Sequence, residues 1–96
     1  MDRRLNLARA IMKEKGIIGQ LDISTRKNKR FVITKPDGTK IHFGVWPFRG
    51  FGTYIDHHNE KLRDNWRARH EKILKDGKPA YLNKHSPEFY SWNLLW

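Results

Sequence analysis

The sequence predicts an α+β fold: an N-terminal helix, a three-stranded antiparallel meander, a long basic helix and a short aromatic C-terminal helix. Three observations carry that expectation. Leu5, Ala8, Ile11 and Met12 recur at helical spacing. Alternating apolar runs flank the turn signal Pro36-Asp37-Gly38. Ser86-Pro87-Glu88 is a helix start that leads into Phe89, Tyr90, Trp92, Leu94, Leu95 and Trp96.

The first helix is expected over 2–15. Asp2 serves as its cap, Gly16 stops it, and Arg3, Arg4, Arg9, Lys13 and Lys15 make its outer surface cationic. Strands are expected over 19–24, with Leu21 and Ile23 inward, and over 30–35, through Phe31, Val32, Ile33 and Thr34. A third is expected over 39–45, with Ile41, Phe43 and Val45 inward and Lys40 and His42 outward. In the turn, proline presets its own φ and glycine accepts the positive φ that closes the hairpin.

From Trp46 to Tyr54 the chain is aromatic and glycine-rich. Rings interleaved with Arg49 are what single-stranded nucleic acid stacks on. The preferred expectation is that they pack over one end of the sheet, because a small domain needs their buried area. A second helix is expected over 58–75, with Leu62, Trp66 and Ile73 on one narrow face. Its outer face is mixed in sign, which suits DNA reading poorly. The apolar chain end must lock onto its own core or insert into a partner; the first is preferred.

Ninety-six residues are expected to form one domain, 1–96, in which aromatic residues (12%) supply much of the core. There are no cysteines, which excludes disulfides and thiolate metal sites. No stretch has the apolar run of a signal peptide or membrane span, so a cytosol-like compartment is expected, with no membrane partner and no secretion.

Twenty Lys and Arg against ten Asp and Glu leave a net charge of +10, which favours polyanions. Arg26, Lys27, Lys29 and Arg30 form the densest cationic stretch, at the tip of the first hairpin. They are the expected phosphate contacts, extended by Arg3, Arg4 and Arg9 if the first helix lies beside that hairpin, and by Arg49. The alternative is an ordinary solvated basic surface.

Catalytic signatures are weak. Asp56-His57-His58 with Asn65 and His70 resembles the metal-binding set of HNH nucleases, but these residues lie on or just before one helix, where Asn65 and His70 diverge. There is no Walker loop, dinucleotide glycine pattern or nucleophile elbow. No enzyme activity, metal or cofactor is expected.

Asp37-Gly38-Thr39-Lys40-Ile41-His42-Phe43-Gly44 resembles the DGK-x-hydrophobic-x-FG hairpin of a family of small uncharacterised proteins of large nucleocytoplasmic DNA viruses and some phages. Tyr54, His58, Glu60, Arg63, Arg69 and His70 stand where that family has a His/Arg-rich helix. The stretch 86–96 resembles its Ser-Pro-x-x-aromatic-Ser-x-x-x-Leu-Trp ending. The resemblance spans roughly 31–96 and implies a viral setting without a mechanism. It marks His58, Arg63, Arg69 and His70 as a motif, for which the preferred role is tying the helix to the aromatic C-terminus. The resulting expectation is a non-enzymatic virion-associated protein touching other viral proteins, through its aromatic end, or the genome. The alternative is a soluble nucleic-acid-binding factor of the host cytoplasm or nucleus.

Overall fold

Helix α1 (Arg3–Glu14) lays Leu5, Ala8 and Met12 on a three-stranded antiparallel sheet, with Ile11 packed at the edge of the same core. The structure is a computed structural model describing residues 3–47 and 50–96. The expected cap Asp2 therefore lies outside the described residues. The sheet, β1 (Gln20–Ile23), β2 (Lys29–Thr34) and β3 (Lys40–Val45), runs in the order β1-β2-β3. Phe31 pairs with Ile23 and Phe43, and Ile33 with Leu21 and Ile41. Phe31, Ile33, Phe43 and Leu21 are fully buried and form the floor on which α1 rests.

Two residues expected inward lie at strand ends and are exposed. Ile23 closes β1 and Val45 closes β3. Strand alternation alone gave them the core side.

The helix expected over 58–75 forms as α3 (Glu60–His70), capped by Asn59 through a hydrogen bond from Leu62 N. A short α2 (Tyr54–His57), which the sequence reading did not expect, precedes it and ends where His58 takes a left-handed φ of 55°. The C-terminal end of the expectation fails. Leu74–Lys75 (β4) and Lys78–Pro79 (β5) pair as a small hairpin, closed by Asp76 and Gly77, both at positive φ as a type I′ turn requires. Hairpin pairing takes over the residues that helical periodicity had claimed.

Beyond a 3₁₀ turn at Ala80–Leu82, Ser86 accepts a hydrogen bond from Glu88 N and Pro87 opens α4 (Pro87–Tyr90), as the sequence predicts. The chain continues as a π-helical turn, Ser91–Leu95. Tyr90, Leu94 and Leu95 are buried in the same core as the sheet, with Phe89 and Trp96 against it. The apolar end locks onto its own molecule. Among the described residues no helix is long and apolar enough to cross a membrane.

Candidate nucleic-acid interface

One carboxylate organises the end of the sheet where the first hairpin and the aromatic loop meet. Arg30, at the start of β2, donates from Nη1 to Asp56 Oδ2 and from Nη2 to Asp56 Oδ1, both at 2.7 Å. The two side chains are 4% and 6% exposed. Arg4 of α1 reaches the same carboxylate at 3.5 Å. Thr53, just before α2, donates to Asp56 Oδ2 from its backbone N (2.8 Å) and its hydroxyl (3.0 Å). Burial pushes the Asp56 carboxyl up, but the hydrogen bonds and charge of Arg30 and Thr53 outweigh it and hold it at about 2.

Arg30 is therefore buried and paired with Asp56, not solvated as the cations of a hairpin tip are expected to be. The sequence places it in a run of surface cations, whereas its partner lies 26 residues further along and draws it inside. The strand accommodates it through Gly44, where a Cβ would stand 2.9 Å from Leu95 Cδ1 and 3.0 Å from Arg30 Cβ. Gly52 is equally constrained, since a Cβ there would meet Asp56 Oδ2 at 2.6 Å.

The remaining hairpin cations stay outside. Arg26 and Lys27 are exposed and Lys29 is half-buried. All three line a groove of about 530 Å³ that continues to the Trp46 side chain. Trp46 belongs to this tip through its backbone, donating to Asn28 O at 3.3 Å. Its ring lies 5.4 Å from the Arg30 guanidinium.

Of the loop's described rings, Tyr54 is half-buried, whereas Trp46 and Phe51 are not covered as the preferred expectation has them. Trp46 is 46% exposed and Phe51 78% exposed. Phe48 and Arg49 lie outside the described residues.

Local charge is one-sided. Residues 23–55 hold seven Lys and Arg and a single acid, Asp37. Asp37 follows β2, roughly 20 Å from the hairpin tip at ~3.3 Å per strand residue. The acids that flank this stretch, Asp22 and Asp56, are paired with Arg9 and Arg30. On the sheet, burial and then the charges of Arg26, Lys40 and Lys29 depress the His42 imidazole below its usual value. His42 and Lys40 lie on β3 opposite Val32 and Thr34.

Of the α1 cations, Arg3 is exposed, Arg4 is brought to the hairpin's base through Asp56, and Arg9 is engaged elsewhere. Arg9 Nε donates to Leu21 O and Nη2 to Asp22 Oδ1, both at 2.9 Å. The larger patch expected to include Arg9 does not form around it.

The four motif residues do not converge. His70 pairs with Glu88 and stacks on Trp66, with ring centroids 3.8 Å apart. Trp66 in turn stacks on Trp96 at 4.9 Å. Arg63 lies over Tyr54 at 4.7 Å, His58 is exposed beside the same ring, and Arg69 is exposed. Of the motif, His70 thus ties α3 to the C-terminal segment as expected, and Arg67, outside the motif, shares that role. Its Nη2 donates to Trp96 O at 3.0 Å and its guanidinium lies 5.1 Å from the Trp92 ring. The nuclease-like set is dispersed as well. Both Asp56 oxygens are held by Arg30, and His57 Nδ1 accepts from Asn59 N at 2.9 Å. Among the described residues no three His, Asp or Glu side chains are grouped to hold a metal ion.

The model of a family of unknown function (DUF5754) matches residues 19–70, from the start of β1 to the end of α3. The match begins earlier than the resemblance drawn from motifs and stops short of the Ser86–Trp96 ending. No curated protein and no solved structure matches the chain.

Proposed function

We propose, for a chain that belongs to the family of unknown function DUF5754, a nucleic-acid-binding role centred on the β1–β2 hairpin. The observation that carries it is the groove lined by Arg26, Lys27 and Lys29, while the acids Asp22 and Asp56 are taken up by Arg9 and Arg30. Cations at a hairpin tip can neutralise phosphates, and released counterions supply the affinity. The residues matched by the family model contain this hairpin entire.

The test is binding of labelled DNA and RNA over a salt series. Affinity falls as salt rises. Replacing Arg26, Lys27 and Lys29 together by Ala lowers the slope of log K against log salt by roughly 2, at ~0.7 for each single-strand phosphate no longer neutralised. A flat salt profile, or wild-type binding by the triple variant, would overturn the proposal. Arg30 is left intact in this variant because its removal would test folding instead.

The finer setting we propose is a non-enzymatic protein of a DNA virus or phage that contacts the genome, in the particle or in the infected cell. Support comes from the three sequence motifs, 37–44, 54–70 and 86–96. The aromatic end is no longer an argument for anchoring on shell proteins, because its leucines and Tyr90 are consumed by the chain's own core. Mass spectrometry of purified particles decides the location; absence from particles removes the virion version and leaves the infected-cell one.

A further inference from the structure

We propose that the cleft between α1, α2, α3 and the C-terminal turn binds a phosphate monoester carried on a small apolar body. The site is separate from the hairpin groove and does not depend on the nucleic-acid reading.

Four elements close around a space of about 540 Å³. Lys15 stands just past α1, His58 between α2 and α3, and Arg63 and Arg67 one turn apart on α3; all four line it. Leu7 and Ile11 of α1 and Leu94 of the C-terminal turn supply an apolar wall. Glu14 is the one acid among the described residues that line the cleft. Lys15, Arg63 and Arg67 therefore leave an excess of two positive charges, before His58 is counted.

These cations are short of negative partners. Lys15 Nζ donates to Asn93 O at 2.8 Å, a neutral acceptor. Among the described residues, the Arg67 side chain has one oxygen partner, Trp96 O, through Nη2. Asp64 stands 3.5 Å from Arg63 Nε without completing a hydrogen bond. The Nε atoms of Arg63 and Arg67 are both buried and both lack an acceptor. Each guanidinium lies instead over a ring, Arg63 on Tyr54 and Arg67 on Trp92. Stacking engages the flat face of a guanidinium and leaves its edge N–H groups for an anion.

Mutual repulsion shows in their proton affinities. Burial lowers the Arg67 pKa and the charge of Arg63 lowers it further, against opposition from Asp64 and Tyr54. Lys15 is lowered by partial burial and then by Arg67, with Glu14 opposing. Like charges four residues apart destabilise a helix, and the fold brings a third cation beside this pair. An anion seated among them replaces repulsion by attraction. A phosphate monoester is close to dianionic at neutral pH, which matches the excess charge, and guanidinium edges pair well with its oxygens. The wall of Leu7, Ile11 and Leu94 gives its apolar substituent a surface to cover.

The test titrates the full chain with phenyl phosphate, and in parallel with inorganic phosphate, benzoate and phenol, while NMR follows the arginine Nε–H signals. Phenyl phosphate shifts the signals of Arg63 and Arg67 and binds about tenfold more tightly than any of the other three. Arg63→Gln and Lys15→Met, made separately, each weaken its binding about tenfold. Lys15 is exposed, so its replacement keeps the test open should Arg63→Gln fail to fold; near-ultraviolet circular dichroism checks both. Arg67 is left intact because it holds Trp96. The proposal is overturned if any of the other three compounds binds as tightly as phenyl phosphate. It is overturned equally if a folded variant binds as the wild type does, or if the two arginine signals stay still at saturation.

Discussion

Asp56 carries more of this molecule than any other single side chain described. Its carboxylate receives two hydrogen bonds from Arg30 and two from Thr53 and draws in Arg4, so it joins α1, β2 and the end of the aromatic loop. A buried guanidinium deprived of that partner is left with an uncompensated charge. Asp56→Ala is accordingly expected to cost about 3 kcal/mol in urea unfolding. The pH dependence has a definite sign. The folded carboxyl titrates at about 2, below its usual 3.8, so its stabilisation is complete above the unfolded value and is lost as pH falls from there through 2. That loss is on the order of 2 kcal/mol. Unfolding curves between pH 6 and pH 2 would show it in the wild type and not in Asp56→Asn. Equal acid sensitivity in the two proteins would mean another group controls acid unfolding.

Helix α3 shows a different way of holding an element. It buries no residue completely and has no apolar stripe in the core. It is attached instead by ring faces and charge-bearing tips: His70 on Trp66, Trp66 on Trp96, Arg67 on Trp92 and on the Trp96 carbonyl, and His70 with Glu88. Stacked pairs add roughly 0.5–1.5 kcal/mol each beyond area burial, enough to dock a helix yet less than a full core contact would supply. Trp66→Ala removes the middle of the stack and is expected to lower stability by about 2 kcal/mol. Hydrogen exchange should then accelerate first at the amides of 62–70 while Phe31 and Ile33 remain protected. Uniform loss of protection across helix and sheet would show that α3 is integral to the cooperative core.

For the whole molecule, the arrangement of charge matters more than its total. Acids are drawn into pairs at Asp22, Asp56, Asp64 and Glu88, whereas the hairpin tip and the adjoining sheet face keep their cations. His42 reports on that field. Burial and the charges of Arg26, Lys40 and Lys29 lower its pKa, so phosphates bound at the hairpin should raise it again. A proton-NMR titration with and without an oligonucleotide measures this directly, and an unmoved His42 at saturation would place the ligand elsewhere. Much of the architecture was legible in local pattern. The α1 face at Leu5, Ala8 and Met12, the meander with its Pro36-Asp37-Gly38 turn and the Ser86-Pro87 helix start each depend on residues within a few positions of one another, where periodicity, turn chemistry and capping act. The small hairpin at Asp76-Gly77 was missed at its first strand because the apolar spacing through Leu62, Trp66 and Ile73 leads directly into it. The interface was legible only in part: Arg26, Lys27 and Lys29 were found as a cationic run, but the same run included Arg30, which differs from them in nothing local. What the sequence determined by itself is the surplus of positive charge, the identity of most strands and helices, and the apolar content of the core. Which arginine is buried and which aromatic residues enter the core were decided by tertiary structure. Those outcomes depend on partners such as Asp56 and Leu95, dozens of residues away, whose competition for a limited core volume no short window of sequence contains.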